Sequence, residues 1–127
     1  MGVQPGLCGI VSLVVEAGDT ALAQQTGDVP VLATPRLVRL AEEATLRAVE
    51  GKLERGTTSV GYRVQMDHLA PVPVGDQVRA EAVLEAVEGR RLTFRVSLTD
   101  DRGLVGAGRI TRVIVERDRF IERATGK

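Results

Sequence analysis

Apolar and polar residues alternate with a period of two along most of the second half of the chain. Val60, Tyr62, Val64, Met66 and His68 share one parity of residues 57–68. The alternation returns in 77–87, in 91–99 with Leu92, Phe94, Val96 and Leu98, and again in 104–116. A period of two puts every second side chain on one face, so these four segments are expected to be half-buried strands. A Pro/Gly loop from Leu69 to Gly75, a tight Glu88-Gly89-Arg90 turn and Asp101-Arg102-Gly103 separate them, and the second of these predicts a hairpin. The period changes to about 3.6 in residues 35–50. There Leu37, Val38, Leu40, Ala41, Ala44, Ala48 and Val49 fall on one face, and Arg36, Arg39, Glu43, Arg47 and Glu50 on the other, which predicts an amphipathic helix. Thr34 before Pro35 is its expected start, a capping hydroxyl followed by proline at the first helical position, and Gly51 its expected stop. The apolar stretch from Met1 to Val15 reads as a first strand, and the charged tail from Arg117 to Lys127 has helical potential. Residues 16–34 are the least regular, of a length that often forms a lid or binding loop. Strand, helix, then four strands in series is an α+β plan: an antiparallel sheet with one long helix lying on it. All of 1–127 is read as a single domain.

Composition removes several classes of function. Seventeen basic residues balance seventeen acidic ones, a poor match for nucleic acid or an anionic membrane surface. Tyr62, Phe94 and Phe120 are the only aromatics, too few for single-strand stacking platforms. One cysteine, Cys8, cannot close an internal disulfide, and one histidine, His68, cannot make a three-histidine zinc site. There is no acidic loop of magnesium or calcium pattern, so no metal is expected. No apolar run approaches the roughly eighteen residues of a membrane span, and no basic residue precedes the apolar N-terminal stretch, so a cytoplasmic location is expected. Fifteen of the basic residues are arginines, spread along the chain without a cluster in the sequence.

Polar residues that break the pattern of their own element are the candidates for chemistry. Glu42 sits at the border of the helix's apolar arc; it is either a flank carboxylate reaching water or a half-buried base or nucleophile. His68 continues an apolar parity at a strand end, as a satisfied core histidine or as a general base or orienting group. Arg112 lies between Ile110 and Ile114 in the last strand, where it either marks an edge strand or meets a carboxylate or an anionic ligand. Thr34 is explained by capping, although a hydroxyl at a helix N-terminus is also placed to touch a developing oxyanion. Gly61, inside a good strand, marks a bulge or a close approach. Other motifs fall away. Thr57-Thr58-Ser59-Val60-Gly61 lacks the first glycine of a nucleophile elbow, Gly106-Ala107-Gly108 has no helix after it, and Cys8 lacks an activating neighbour.

The stretch from Gly61 through His68 to Gly75, the Val-Glu-Gly-Arg-Arg turn and the terminal Gly108-to-Val113 segment resemble the hot-dog-fold thioesterases, most closely the fluoroacetyl-CoA thioesterase-like group. The resemblance covers about Val29 to Glu116. It implies a hot-dog fold, a curved antiparallel sheet around one central helix, and subunits that pair as a homodimer or a dimer of dimers with sites at the interface. It implies hydrolysis of an acyl-CoA thioester, with Thr34, Glu42 and His68 as catalytic residues and Gly61 and Arg112 lining the acyl pocket. CoA would enter as part of the substrate, with no separate cofactor. One departure concerns the lid: Ala21 to Ala33 carries no phenylalanine, where the fluoroacetyl-CoA enzyme has them, which implies a general or different short acyl group. A non-catalytic acyl-CoA or small-ligand binding module, and a hydratase or dehydratase on the same fold, are the alternatives.

Overall fold

The computed structural model describes residues 2–126. Strands β1 (Cys8–Val14), β2 (Thr57–His68), β3 (Gln77–Glu88), β4 (Arg91–Asp100) and β5 (Gly103–Glu116) form one antiparallel sheet in the order β1-β3-β4-β5-β2. Helix α1 (Ala21–Gln24) is a single turn, α2 (Thr34–Ala48) is the long helix, and α3 (Arg117–Thr125) closes the described chain. The four strands expected from the alternation start and end within a residue of the observed ones, because turns with glycine leave the pattern little freedom to drift.

The sheet curls around α2, which touches all five strands. Leu37, Leu40, Ala41, Ala44 and Ala48 of α2 pack on Val78, Ala80, Ala82 and Leu84 of β3 and on Leu92, Phe94, Val96 and Leu98 of β4. Leu37, Leu40 and Phe94 are fully buried, each contributing about 2 kcal/mol through removal from water. Alanines on the helix let it lie close to the sheet. The approach is tight at Gly9, where a Cβ would fall on the Ala44 carbonyl and the Ala48 amide.

Three expectations are corrected. Helix α2 begins one residue early, with Ala33 as its N-cap, so Pro35 falls at the second helical position and Thr34 makes no capping bond. The parity of β2 does not run through: its register with β5 shifts between Gly61 and Arg63, so Tyr62 bulges to the outside while Ser59 is buried. Arg36, assigned to the solvated arc, is 9% exposed because a 3-10 turn at Ala17–Asp19 covers the first turn of α2. There Asp19 Oδ1 accepts from Arg36 Nε at 3.1 Å.

Candidate active site

The irregular segment before α2 is fastened along its length. The Ala21 amide donates to the Val31 carbonyl at 2.9 Å, Leu32 to Val72 at 2.8 Å, and Ala33 to Asp19 at 2.9 Å. Its tip overhangs a cleft of about 340 Å³ whose lining includes Thr26, Asp28, Val29, Leu32, Thr34, His68 and Pro71. Thr34 opens α2 and His68 closes β2, and the two meet in this cleft with Thr34 Oγ1 and His68 Nδ1 hydrogen-bonded at 2.8 Å. Because Ala33 takes the cap, the threonine hydroxyl is free for the ring. The other ring nitrogen, Nε2, is buried and has no partner among the described residues. Burial lowers the pKa of His68 below its usual 6.5, with the Ala70 backbone acting in the opposite direction, so the ring is neutral near pH 7.

Eight residues further along α2, about 12 Å at a helical rise, a second group assembles around Glu42. Arg112 Nη1 donates to Glu42 Oε1 at 3.3 Å, and the carboxylate is 35% exposed. Arg112 is itself braced, with Nε donating to Ser59 Oγ and Nη2 to the Ser59 carbonyl, both at 2.9 Å. Its strand lies between β4 and β2, so Arg112 is an interior residue and not an edge charge. Burial pulls its guanidinium below the usual arginine range while Glu42 holds it up. Gly61 faces the same carboxylate: an added Cβ would stand 3.0 Å from Glu42 Oε1. The glycine therefore marks both readings offered for it, a bulge and a close approach.

The five residues singled out from the sequence thus form two pairs of neighbours plus the glycine. Thr34 meets His68, and Glu42 meets Arg112 and Gly61. Ser59, which holds Arg112, and the Asp19–Arg36 clamp at the root of the lid were not singled out; each is polar and sits in a region where polar residues are ordinary. Among the described residues, no group of three or more His, Cys, Asp or Glu side chains could hold a metal ion.

The chain matches the model of the family described as fluoroacetyl-CoA-specific thioesterase across residues 15–118. It is 39% identical to the fluoroacetyl-CoA thioesterase of Streptantibioticus cattleyicolor over 90 residues, which span 71% of this chain and 65% of that protein. A solved structure of the fluoroacetyl-CoA thioesterase superposes with a TM-score of 0.92 at 32% identity, covering 100% of this chain and 98% of the other. A hot-dog-like protein from Thermanaerovibrio acidaminovorans superposes with a TM-score of 0.88 at 25% identity, covering 96% and 90% of the two chains.

Proposed function

The chain belongs to the fluoroacetyl-CoA-specific thioesterase family and has a hot-dog fold, and we propose that it hydrolyses a small acyl-CoA to the free acid and CoA. The observation that carries this reading is the Thr34–His68 hydrogen bond beneath the lid, which fixes the ring in the wall of the cleft. Glu42 delivers the attack on the thioester carbonyl carbon, either with its own carboxylate oxygen or by taking a proton from the attacking water. A C–O bond forms, the C–S bond breaks, and the CoA sulfur leaves with a proton relayed through His68. Arg112 and the backbone at Gly61 face the acyl group and its developing negative oxygen. A single turnover in water enriched in heavy oxygen identifies direct attack when water opens the mixed anhydride at the Glu42 carboxyl carbon: the first acid released is then unlabelled and the label stays in Glu42, whereas attack by water on the thioester puts the label in the first acid.

The Thr34–His68 pair and the Glu42–Arg112 pair stand eight residues apart along α2, which supports sites shared between two copies. Strand β2 is an edge strand, with Tyr62 and Val64 exposed along it. Self-pairing of β2 about a two-fold axis runs the two copies antiparallel, bringing the His68 end of one toward the Gly61 end of the other. A homodimer would then hold two equivalent sites, each with Thr34 and His68 from one protomer and Glu42, Gly61 and Arg112 from its partner. The lid has no phenylalanine, and Thr26 and Asp28 line the cleft, so the acyl group is short and not restricted to a fluorinated one. A single unpaired cysteine and a CoA substrate fit the cytoplasm.

The test is thiol release from acetyl-, fluoroacetyl-, propionyl- and phenylacetyl-CoA by the wild type and Glu42→Gln. Loss of the carboxylate is expected to lower turnover at least about hundredfold with CoA-ester binding retained. Binding of the esters without turnover by the wild type would replace the hydrolase with a binding module.

A further inference from the structure

Acyl-CoA hydrolysis leaves the phosphates of CoA in need of partners, and the active-site residues supply none. Resting on that reading, we propose that Arg90, Arg119 and Arg123, gathered where α3 meets the β3–β4 turn, bind the phosphorylated adenosine end of the substrate, with Phe120 stacking on the base. The three arginines line a groove of about 270 Å³ together with Val115, Glu116 and Phe120. Arg119 and Arg123 lie one turn apart on α3, and the fold brings Arg90 from the β3–β4 turn to them. Arg119 is paired with Glu116 at 3.2 Å, whereas Arg90 and Arg123 make no ion pair among the described residues. Three cations against one carboxylate leave net positive charge in the groove, which is what a pyrophosphate and a ribose phosphate require.

Three grooves elsewhere on the molecule lack this imbalance, and the groove that adjoins it at Arg90, lined also by Glu88 and Arg91, carries a smaller excess. The cleft under the lid contains Asp28 and no arginine or lysine. The groove between α2 and β1 sets Arg36 and Arg47 against Glu43 and Glu50. The groove on the outer sheet sets Arg95 and Arg109 against Asp67 and Glu81. Phe120 adds a second, independent feature. It is 38% exposed on a helix that buries no residue, so its ring is free to take a flat ligand as single-stranded bases are taken elsewhere.

The position also fits. Val115 lies three residues beyond Arg112 in β5, about 10 Å at a strand rise, so the groove opens near the Glu42 end of the site and within the span of a pantetheine arm. Next to Arg90, Arg91 stands over the Tyr62 ring at 4.9 Å, and Tyr62 follows Gly61. A continuous strip therefore joins the groove to the backbone facing Glu42.

The test compares kcat/KM for a CoA ester with that for the pantetheine ester of the same acid, which lacks the nucleotide. The wild type is expected to favour the CoA ester, and Arg90→Ala/Arg123→Ala to reduce that preference at least about tenfold. Arg95→Ala, whose arginine is paired with Glu85 on the other face, keeps the preference. Added salt raises KM for the CoA ester of the wild type and not for the pantetheine ester, a readout that needs no variant. Calorimetry with adenosine 3′,5′-bisphosphate alone completes the test, with binding to the wild type weakened at least about tenfold in the double variant. An unchanged preference in the double variant, or bisphosphate binding that is absent or insensitive to it, overturns the proposal. Hydrolysis of CoA esters with that outcome keeps the thioesterase reading; absence of all hydrolysis with arginine-dependent bisphosphate binding keeps the groove and removes the reading.

Discussion

At the start of α2, Thr34 and His68 face an open cleft, joined by one hydrogen bond in which neither partner carries a charge near pH 7. Two turns on, Glu42 and Arg112 form an ion pair, and the arginine is locked by Ser59 before any substrate arrives. The first region can adjust as a ligand enters. The second is preset, and its order comes from the fold. A charged group that must be aimed at a reacting carbonyl is best fixed in advance, because reorienting it during the reaction raises the barrier. A group that must follow a proton gains from a lighter hold.

This contrast predicts that damage to the second region costs both stability and turnover, while damage to the first costs turnover alone. Arg112→Met removes three hydrogen bonds, leaves Ser59 unpaired and frees the Glu42 carboxylate. It should lower unfolding free energy by about 2 kcal/mol and thiol release by more than tenfold. Denaturant unfolding that matches the wild type would break the comparison at its larger end. Thr34→Ala should lower thiol release about tenfold and leave the melting temperature within a degree or two, since Ala33 is the cap; Thr34→Ser should restore most of the rate. A melting temperature that falls without a change in rate would return Thr34 to a purely capping role.

The smallest effect concerns pH. Burial holds the folded pKa of His68 below 6.5, so the neutral ring persists into mildly acidic solution. The acid limb of kcat/KM assigned to this ring should lie below pH 6.5. The linked stability has a definite sign: as pH falls below 6.5 the unfolded chain takes the proton first, so the contribution is full above that value and is lost as pH falls through the folded pKa. His68→Gln should flatten this decline in pH-dependent unfolding, and an acid limb at or above 6.5 would contradict the assignment.

The strands were legible because alternation and turn residues agree, and their ends follow from glycine and proline at the joints. The bulge at Tyr62 was not, since a single register shift leaves no mark in a pattern that alternates on both sides of it. Gly61 was visible as an oddity, but whether it signalled a bulge or a neighbour needed coordinates, and it proved to be both. Thr34 illustrates the opposite case. Its local signal was strong, and the structure set it aside because the backbone of Ala33 could begin the helix and the side chain had a better partner thirty-four residues away. Glu42 and Arg112 were each singled out, yet their contact joins positions seventy residues apart, and no periodicity carries information over that distance. The arginine groove is likewise invisible in one dimension, since β5 and the turn before β4 meet only in the sheet.

The lid is secured at its roots by main-chain groups, through Ala21 with Val31, Leu32 with Val72 and Ala33 with Asp19. Amides and carbonyls make these bonds whatever side chains the tip carries, so the letters between Gln24 and Val29 can change without unseating the loop. The tip that overhangs the cleft and the anchors that hold it therefore draw on different residues, so the tip can be rewritten while the scaffold stays unaltered.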